Sequence, residues 1–286
     1  QTVAASLTML EELARHVREP FARWHATVYR SMCAFVEGDL KRSVELAEEG
    51  YRLGSMVSES GARHAYLVQL TGNMRLMGER ERARSLVYEA AARYPSIAGW
   101  RCAVGLSEVD VGHFDAARDV FLQLMSDGLP ALLRDAFVLS VLCPLVELCA
   151  WVGDAASAEK LYPALLPYAA HCGTIGYGIG TYGPVARYLG MLAGKCGRYE
   201  LAVEHLNASM IACQRMKAPT YVALTALTHA VVILPVPSPS ALKQRASLEL
   251  ARARRIANTH GFGMIASICD VVAPLATDTR ARPQPS

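Results

Sequence analysis

The stretch GPVARYLGMLAGKCGRYELAVEHL, Gly183–Leu206, decides how the rest of the chain is read. An apolar, helix-like run ends at Gly197 and a second one opens directly after it. Three positions around that glycine carry the pattern. Gly190 stands seven residues before it, Ala202 five after, and Leu206 nine after. Glycine closes a helix readily because it tolerates positive φ.

The same frame recurs at Gly38, Gly78, Gly112 and Gly153, spaced with Gly197 at intervals of 40, 34, 41 and 44 residues. Five residues after them stand Ser43, Ala83, Ala117 and Ala158, and nine after stand Ala47, Val87, Phe121 and Tyr162. Seven before stand Ser31, Thr71, Gly105 and Val146. A self-similar period of this size marks a helical repeat array. The pattern resembles the tetratricopeptide repeat, in which a small residue lets paired helices approach and a large one fills the space a turn later. Pro95, seventeen residues past Gly78, suits the stop of a second helix. The characteristic first tryptophan of that repeat is missing, so the alignment rests on five copies together.

Periodicity agrees. After Gly112, residues Phe114, Ala117, Val120, Phe121 and Leu124 share one helical face, while Asp115, Arg118, Asp119 and Gln123 share the other. No segment alternates as a strand would, so the expectation is an all-α chain without a sheet. A sixth unit is read at Tyr221–Leu234 and Ala241–Thr259, joined by a Pro/Ser loop and followed by a capping helix at Met264–Ala276. Val3–Arg18 reads as the trailing helix of a truncated earlier repeat. The predicted architecture is therefore a right-handed superhelix of tetratricopeptide-like helix-turn-helix repeats, five to six of them, over residues 1–276. Residues 277–286 are expected to be a disordered tail.

Longer stretches carry a closer resemblance. LYPALLPYA (Leu161–Ala169), RMKAPTYVALT (Arg215–Thr225), RYPSIAGWR (Arg93–Arg101), LLRDAFVLSVL (Leu132–Leu142) and the opening stretch are similar to the C-terminal helical-repeat region of large bacterial signalling proteins. Those proteins place a class III adenylate/guanylate cyclase or a LuxR-type DNA-binding module first, then a STAND/AAA ATPase domain, then such repeats. The resemblance spans about Pro20 to Met264. It implies a cytoplasmic, non-catalytic protein-interaction or regulatory module. Its partner would be another protein or the neighbouring domain of the same chain. The chain begins with Gln1 rather than Met, which fits an expectation that it is part of a longer protein. No GxxxxGK[ST] motif occurs, and no paired metal-binding aspartates of a cyclase can be placed. Any cyclase or ATPase activity is therefore expected upstream of this segment.

Composition points the same way. The 286 residues are 52% hydrophobic and 19% charged, with a net charge of +3. That balance offers no strong attraction for nucleic acid or for an acidic membrane. The apolar runs Ala136–Val152 and Tyr221–Leu234 carry Glu147 with Pro144 and His229 respectively, and read as buried helices rather than membrane spans. The eight cysteines form no CxxC, which favours buried thiols in a reducing compartment.

Candidate chemistry is sparse. Gly176, Gly178 and Gly180 alternate within Gly173–Gly183, but a phosphate-binding turn needs a preceding strand, and none is read there. A flexible inter-repeat loop is the expectation. No HExxH and no GxSxG occur, so neither a catalytic residue nor a metal ligand nor a cofactor is assigned. The cluster Arg245, Arg252, Arg254 and Arg255 includes Glu249 and reads as a solvated helix face. What remains is the groove lined by the first helix of each pair. The alignment turns Arg187 and Glu147 inward, with Arg75 and His25 as further candidates for binding. A protein or peptide partner is the first reading of that groove. A small-molecule effector, an inducer held by those charges, is the alternative.

Overall fold

A computed structural model describes residues 20–129, 137–237 and 239–277, together with Met9 and Glu12. The expectations for Val3–Arg18 and for the tail beyond Thr277 lie outside the described residues, apart from those two. The described chain is about 80% helix and carries thirteen α-helices. In order these are α1 (Pro20–Val36), α2 (Leu40–Ser55), α3 (Glu59–Met77), α4 (Arg80–Arg93), α5 (Ala98–Asp110), α6 (Phe114–Ser126), α7 (Val138–Val152) and α8 (Ala155–Leu165). Then come strands β1 (Cys172–Ile175) and β2 (Gly180–Pro184), and α9 (Val185–Lys195), α10 (Tyr199–Arg215), α11 (Pro219–Ile233), α12 (Ser240–His260) and α13 (Gly263–Thr277). Each aligned glycine falls between the two helices of a pair.

The turns share one chemistry. Gly38, Gly78, Gly112 and Gly197 have φ of 80°, 86°, 88° and 75°. In each, the following residue's N–H reaches back across the end of the helix. Asp39 donates to the Ala34 carbonyl at 2.9 Å, Glu79 to Met74 at 2.9 Å, His113 to Glu108 at 2.8 Å, and Arg198 to Ala193 at 2.9 Å. This is the Schellman closure, which satisfies carbonyls that the helix end would otherwise strand. Gly153 departs from the expectation of a left-handed glycine, since its φ is not in that region. There Asp154 caps α8 instead, accepting the Ser157 N–H at 2.7 Å.

The small residues behave as the alignment requires. Ser43, Ala83, Ala117, Ala158 and Ala202 are all buried, and so are Ser31, Thr71, Gly105, Val146 and Gly190 opposite them. A methyl group on Gly190 would lie 2.7 Å from Leu206 Cγ, so α9 and α10 touch where no side chain fits. In the first pair the contact is polar. Ser31 Oγ donates to the Ser43 carbonyl at 2.8 Å and Ser43 Oγ to the Ser31 carbonyl at 2.9 Å. At plus nine, Ala47, Val87, Phe121 and Leu206 are buried and Tyr162 is half-buried.

The chain divides into two compact units. The first comprises Gln1–Arg75, Glu79–Pro144 and Gly173–Tyr182; the second comprises Leu76–Gly78, Leu145–Cys172 and Gly183–Ser286. In the first, Trp24, Val28, Ala62 and Ala65 form one core cluster, and Leu67, Val87, Ala90 and Trp100 form another. In the second, α9 packs on α8 and α10, and α11 packs on α10, α12 and α13.

The expectation of no sheet is corrected. β1 and β2 pair as a two-stranded hairpin, where a flexible loop was expected. Its strands hold four and five residues, and Gly176, Gly178 and Gly183 sit at φ of 52°, 89° and 74°. Glycine at those positions makes the tight turn possible but erases the side-chain alternation by which a strand is recognised.

Candidate functional site

Two arrangements of polar side chains stand out, one in each unit. In the second unit, Arg187 is 4% exposed. It sits in the first turn of α9, which Pro184 opens. Its Nη2 donates to the Tyr188 hydroxyl at 2.6 Å and to Glu147 Oε2 at 3.3 Å. Its guanidinium carbon lies 4.3 Å from the centroid of the Tyr188 ring. Thr228 Oγ1 on α11 lies 3.5 Å from Nη1. Burial alone would lower its pKa, but Tyr188 and Glu147 outweigh burial and hold it above the ordinary arginine value. Its Nε is buried without a partner.

The structure brings together two of the four residues singled out in the sequence, Arg187 and Glu147. Arg75 forms a bidentate pair with Asp110, Nε to Oδ2 at 2.6 Å and Nη2 to Oδ1 at 3.2 Å. His25 is half-buried against its own helix. Its Nδ1 lies 3.0 Å from the Phe21 carbonyl and its ring centroid 4.0 Å from that of Phe21. Asp110 thus engages the fork of Arg75, while at Arg187 it is Nη2 that Tyr188 and Glu147 engage.

Two polar centres escaped the sequence reading. Glu108 is 1% exposed and accepts from Tyr88 Oη at 2.6 Å, from Arg84 Nε at 2.8 Å, and lies 2.8 Å from His113 Nδ1. Burial would raise its pKa, but those three partners hold it below the usual carboxylate value. His229 is 3% exposed with neither ring nitrogen hydrogen-bonded, and burial with the nearby Arg245 pushes its pKa down to about 4.

The first unit holds the other arrangement. Three side chains from three different first helices each hold a backbone carbonyl of the hairpin. Tyr29 Oη on α1 donates to the Tyr177 carbonyl at 3.1 Å. Gln69 Nε2 on α3 donates to the Ile179 carbonyl at 2.9 Å and to the Val28 carbonyl at 2.8 Å. Ser140 Oγ on α7 donates to the Thr174 carbonyl at 3.0 Å and accepts the Gly176 N–H at 3.2 Å. Ile179 packs on the Trp24, Val28, Ala62 and Ala65 cluster. Chemically this is a surface that grips a hairpin, two carbonyls in its tight turn and one in its first strand, together with one aliphatic side chain.

The cysteines are all free, and burial pushes Cys102 and Cys149 up to about 12, which leaves them protonated and unreactive. Among the described residues no three His, Cys, Asp or Glu side chains gather as a metal site, and no helix is long and apolar enough to cross a membrane. No protein-family model matches the chain, and no curated protein matches it either.

Proposed function

We propose that this chain is a non-catalytic interaction module, a right-handed superhelix of tetratricopeptide-like repeats that regulates a cytoplasmic bacterial signalling protein by holding a peptide segment or a neighbouring domain. One observation carries the reading. Tyr29, Gln69 and Ser140 project from three first helices and grip the main chain of a hairpin through its carbonyls. A face that binds main chain through hydrogen bonds and one apolar pocket suits a protein partner. The inducer-sensor alternative is weakened at the residues first proposed for it. Arg187 is met by Glu147 and Tyr188, and Arg75 by Asp110, so both fixed charges are already answered.

The test is a titration of the purified chain with a panel of short peptides and with ATP and GTP. Saturable peptide binding mapped to α1, α3 and α7, with no nucleotide turnover, is the expected result. Hydrolysis or cyclisation of a nucleotide by the pure chain overturns the reading.

A further inference from the structure

We propose that the hairpin is a built-in occupant of the first unit's peptide-binding face, and that a partner replaces it with an uncharged, turn-forming segment carrying an aliphatic residue between glycines or other small residues. The inference rests on the interaction-module reading above and adds to it the chemistry of the partner and a means of regulation.

The contacts are those of a ligand. The first unit holds Gly173–Tyr182 mainly through carbonyls, which any segment folded into the same turn possesses. The one side chain of the hairpin seated in the core cluster of Trp24, Val28, Ala62 and Ala65 is that of Ile179. On either side of it the backbone comes close. A methyl group on Gly178 would lie 3.3 Å from the Tyr29 ring, and one on Gly180 would lie 3.2 Å from Val68 Cγ1. The site therefore selects an aliphatic residue preceded by glycine, whose φ of 89° other residues rarely adopt, and followed by a small residue. No charged side chain takes part in these contacts, which selects against charged segments through desolvation.

The hairpin is also an imperfect occupant. Gln69 is 6% exposed, and its Nε2 is fully used on two carbonyls. Those two acceptors fix which end of the amide is nitrogen. Its Oε1 is buried with no hydrogen-bond partner. A buried acceptor left unpaired is a standing penalty. A segment that brings an N–H to Gln69 Oε1 while keeping the Ile-like anchor gains that bond and displaces the hairpin. At the tip, Tyr177 is 82% exposed, its ring edge-on to Phe137 at 4.8 Å, so the occupant has a solvent-facing end from which to peel.

A self-occupied face lowers the apparent affinity for an added ligand by the fraction of time it is vacant. The experiment uses the full chain and a fluorescein-labelled synthetic peptide with the sequence of residues 173–182, GTIGYGIGTY, read by fluorescence anisotropy. Ile179→Ala loosens the internal copy without altering the face. It is expected to bind the peptide at least about tenfold more tightly than the parent chain. Adding Gln69→Ala is expected to abolish the gain. Chymotryptic nicking after Tyr177 in the otherwise unaltered chain supplies a second route to the vacant face should Ile179→Ala not fold. Unchanged affinity in a loosened chain, shown to be loosened by faster hydrogen exchange over 173–182, overturns the proposal. If other peptides still bind elsewhere on the chain in that case, the interaction-module reading survives and the self-occupied face alone is lost. If no peptide binds any version, both are lost.

Discussion

Arg187 Nη2 lies 3.3 Å from Glu147 Oε2, and their side chains are 5% and 12% exposed. The pair ties the first turn of α9 to α7 inside the second unit, with Tyr188 and Thr228 completing the shell. An ion pair this deep is weak evidence of net stabilisation, because desolvating both groups offsets their attraction. Its removal by halves is another matter.

Arg187→Ala leaves Glu147 buried without its cation and is expected to cost about 3–5 kcal/mol in chemical denaturation. Replacing both together, Arg187→Met with Glu147→Met, is expected to be much milder than the arginine change alone, since neither charge is then stranded. The double-mutant cycle checks this. A single mutant with the parent's midpoint would show that the pair is not holding α9 on α7.

The aligned small residues make a packing prediction. Ala117 and Ala202 are 0% exposed at the crossings of α5 with α6 and α9 with α10. Leucine at either position overpacks its helix pair and is expected to cost about 1–3 kcal/mol. Thermal melts of both variants at the parent's midpoint would contradict the repeat alignment.

Two glycines of one repeat should fail for different reasons. Gly197 has φ of 75° with open space around an added methyl, so Gly197→Ala suffers backbone strain alone, about 1–2 kcal/mol. Gly190 is helical, and its methyl would meet Leu206 Cγ at 2.7 Å. Gly190→Ala should therefore be rescued by Leu206→Ala, where alanine's helix preference of about 1 kcal/mol over glycine shows through. Gly197→Ala should not be rescued by that partner. Equal behaviour of the two in the Leu206→Ala background would refute the assignment.

His229 should set part of the acid sensitivity. Its pKa falls from 6.5 to about 4 on folding, so the folded protein holds it neutral. The unfolded chain then takes up a proton that the folded one does not. The stability this contributes is complete above pH 6.5 and is lost as pH falls toward 4, by at most about 1.4 kcal/mol per pH unit. Melts of the parent and of His229→Leu across that range should differ in slope, the variant being flatter. Parallel slopes would place the imidazole in water.

The helix pairs were legible because their signals are local. A glycine in the left-handed region, a small residue five positions on and a large one nine on all lie within one turn-and-helix unit, and the helix bounds around Gly38, Gly78, Gly112 and Gly197 follow from them. The same frame singled out Glu147 and Arg187, which pair with each other in the structure. The hairpin was not. Its strands contain Gly173, Gly180 and Gly183, and what holds it in place comes from Tyr29, Gln69 and Ser140, far away in sequence. Glu108 was missed for a related reason. Its donors Arg84 and Tyr88 stand one turn apart on α4, a visible pair, but nothing in the spacing says that a carboxylate on α5 will face them.

The Glu108 centre yields the last prediction. The carboxylate is 2% exposed and receives Arg84, Tyr88 and His113, whose own side chains or rings retain contact with water. Glutamine keeps the shape but turns an N–H₂ toward donors, so at least one bond becomes a donor–donor clash. Glu108→Gln is expected to cost about 1.5–3 kcal/mol, the range for a bond to a charged group, and Tyr88→Phe about 1 kcal/mol. The carboxyl is held below its ordinary value in the folded protein. Its contribution is therefore complete above the unfolded value, about 4.3, and disappears as pH falls through the folded one. Parent and Glu108→Gln should differ most near neutral pH and converge in acid. Denaturation midpoints at both pH values decide the matter. A gap that persists unchanged in acid would mean that the loss comes from packing around α4 and α5 and not from the charge of Glu108.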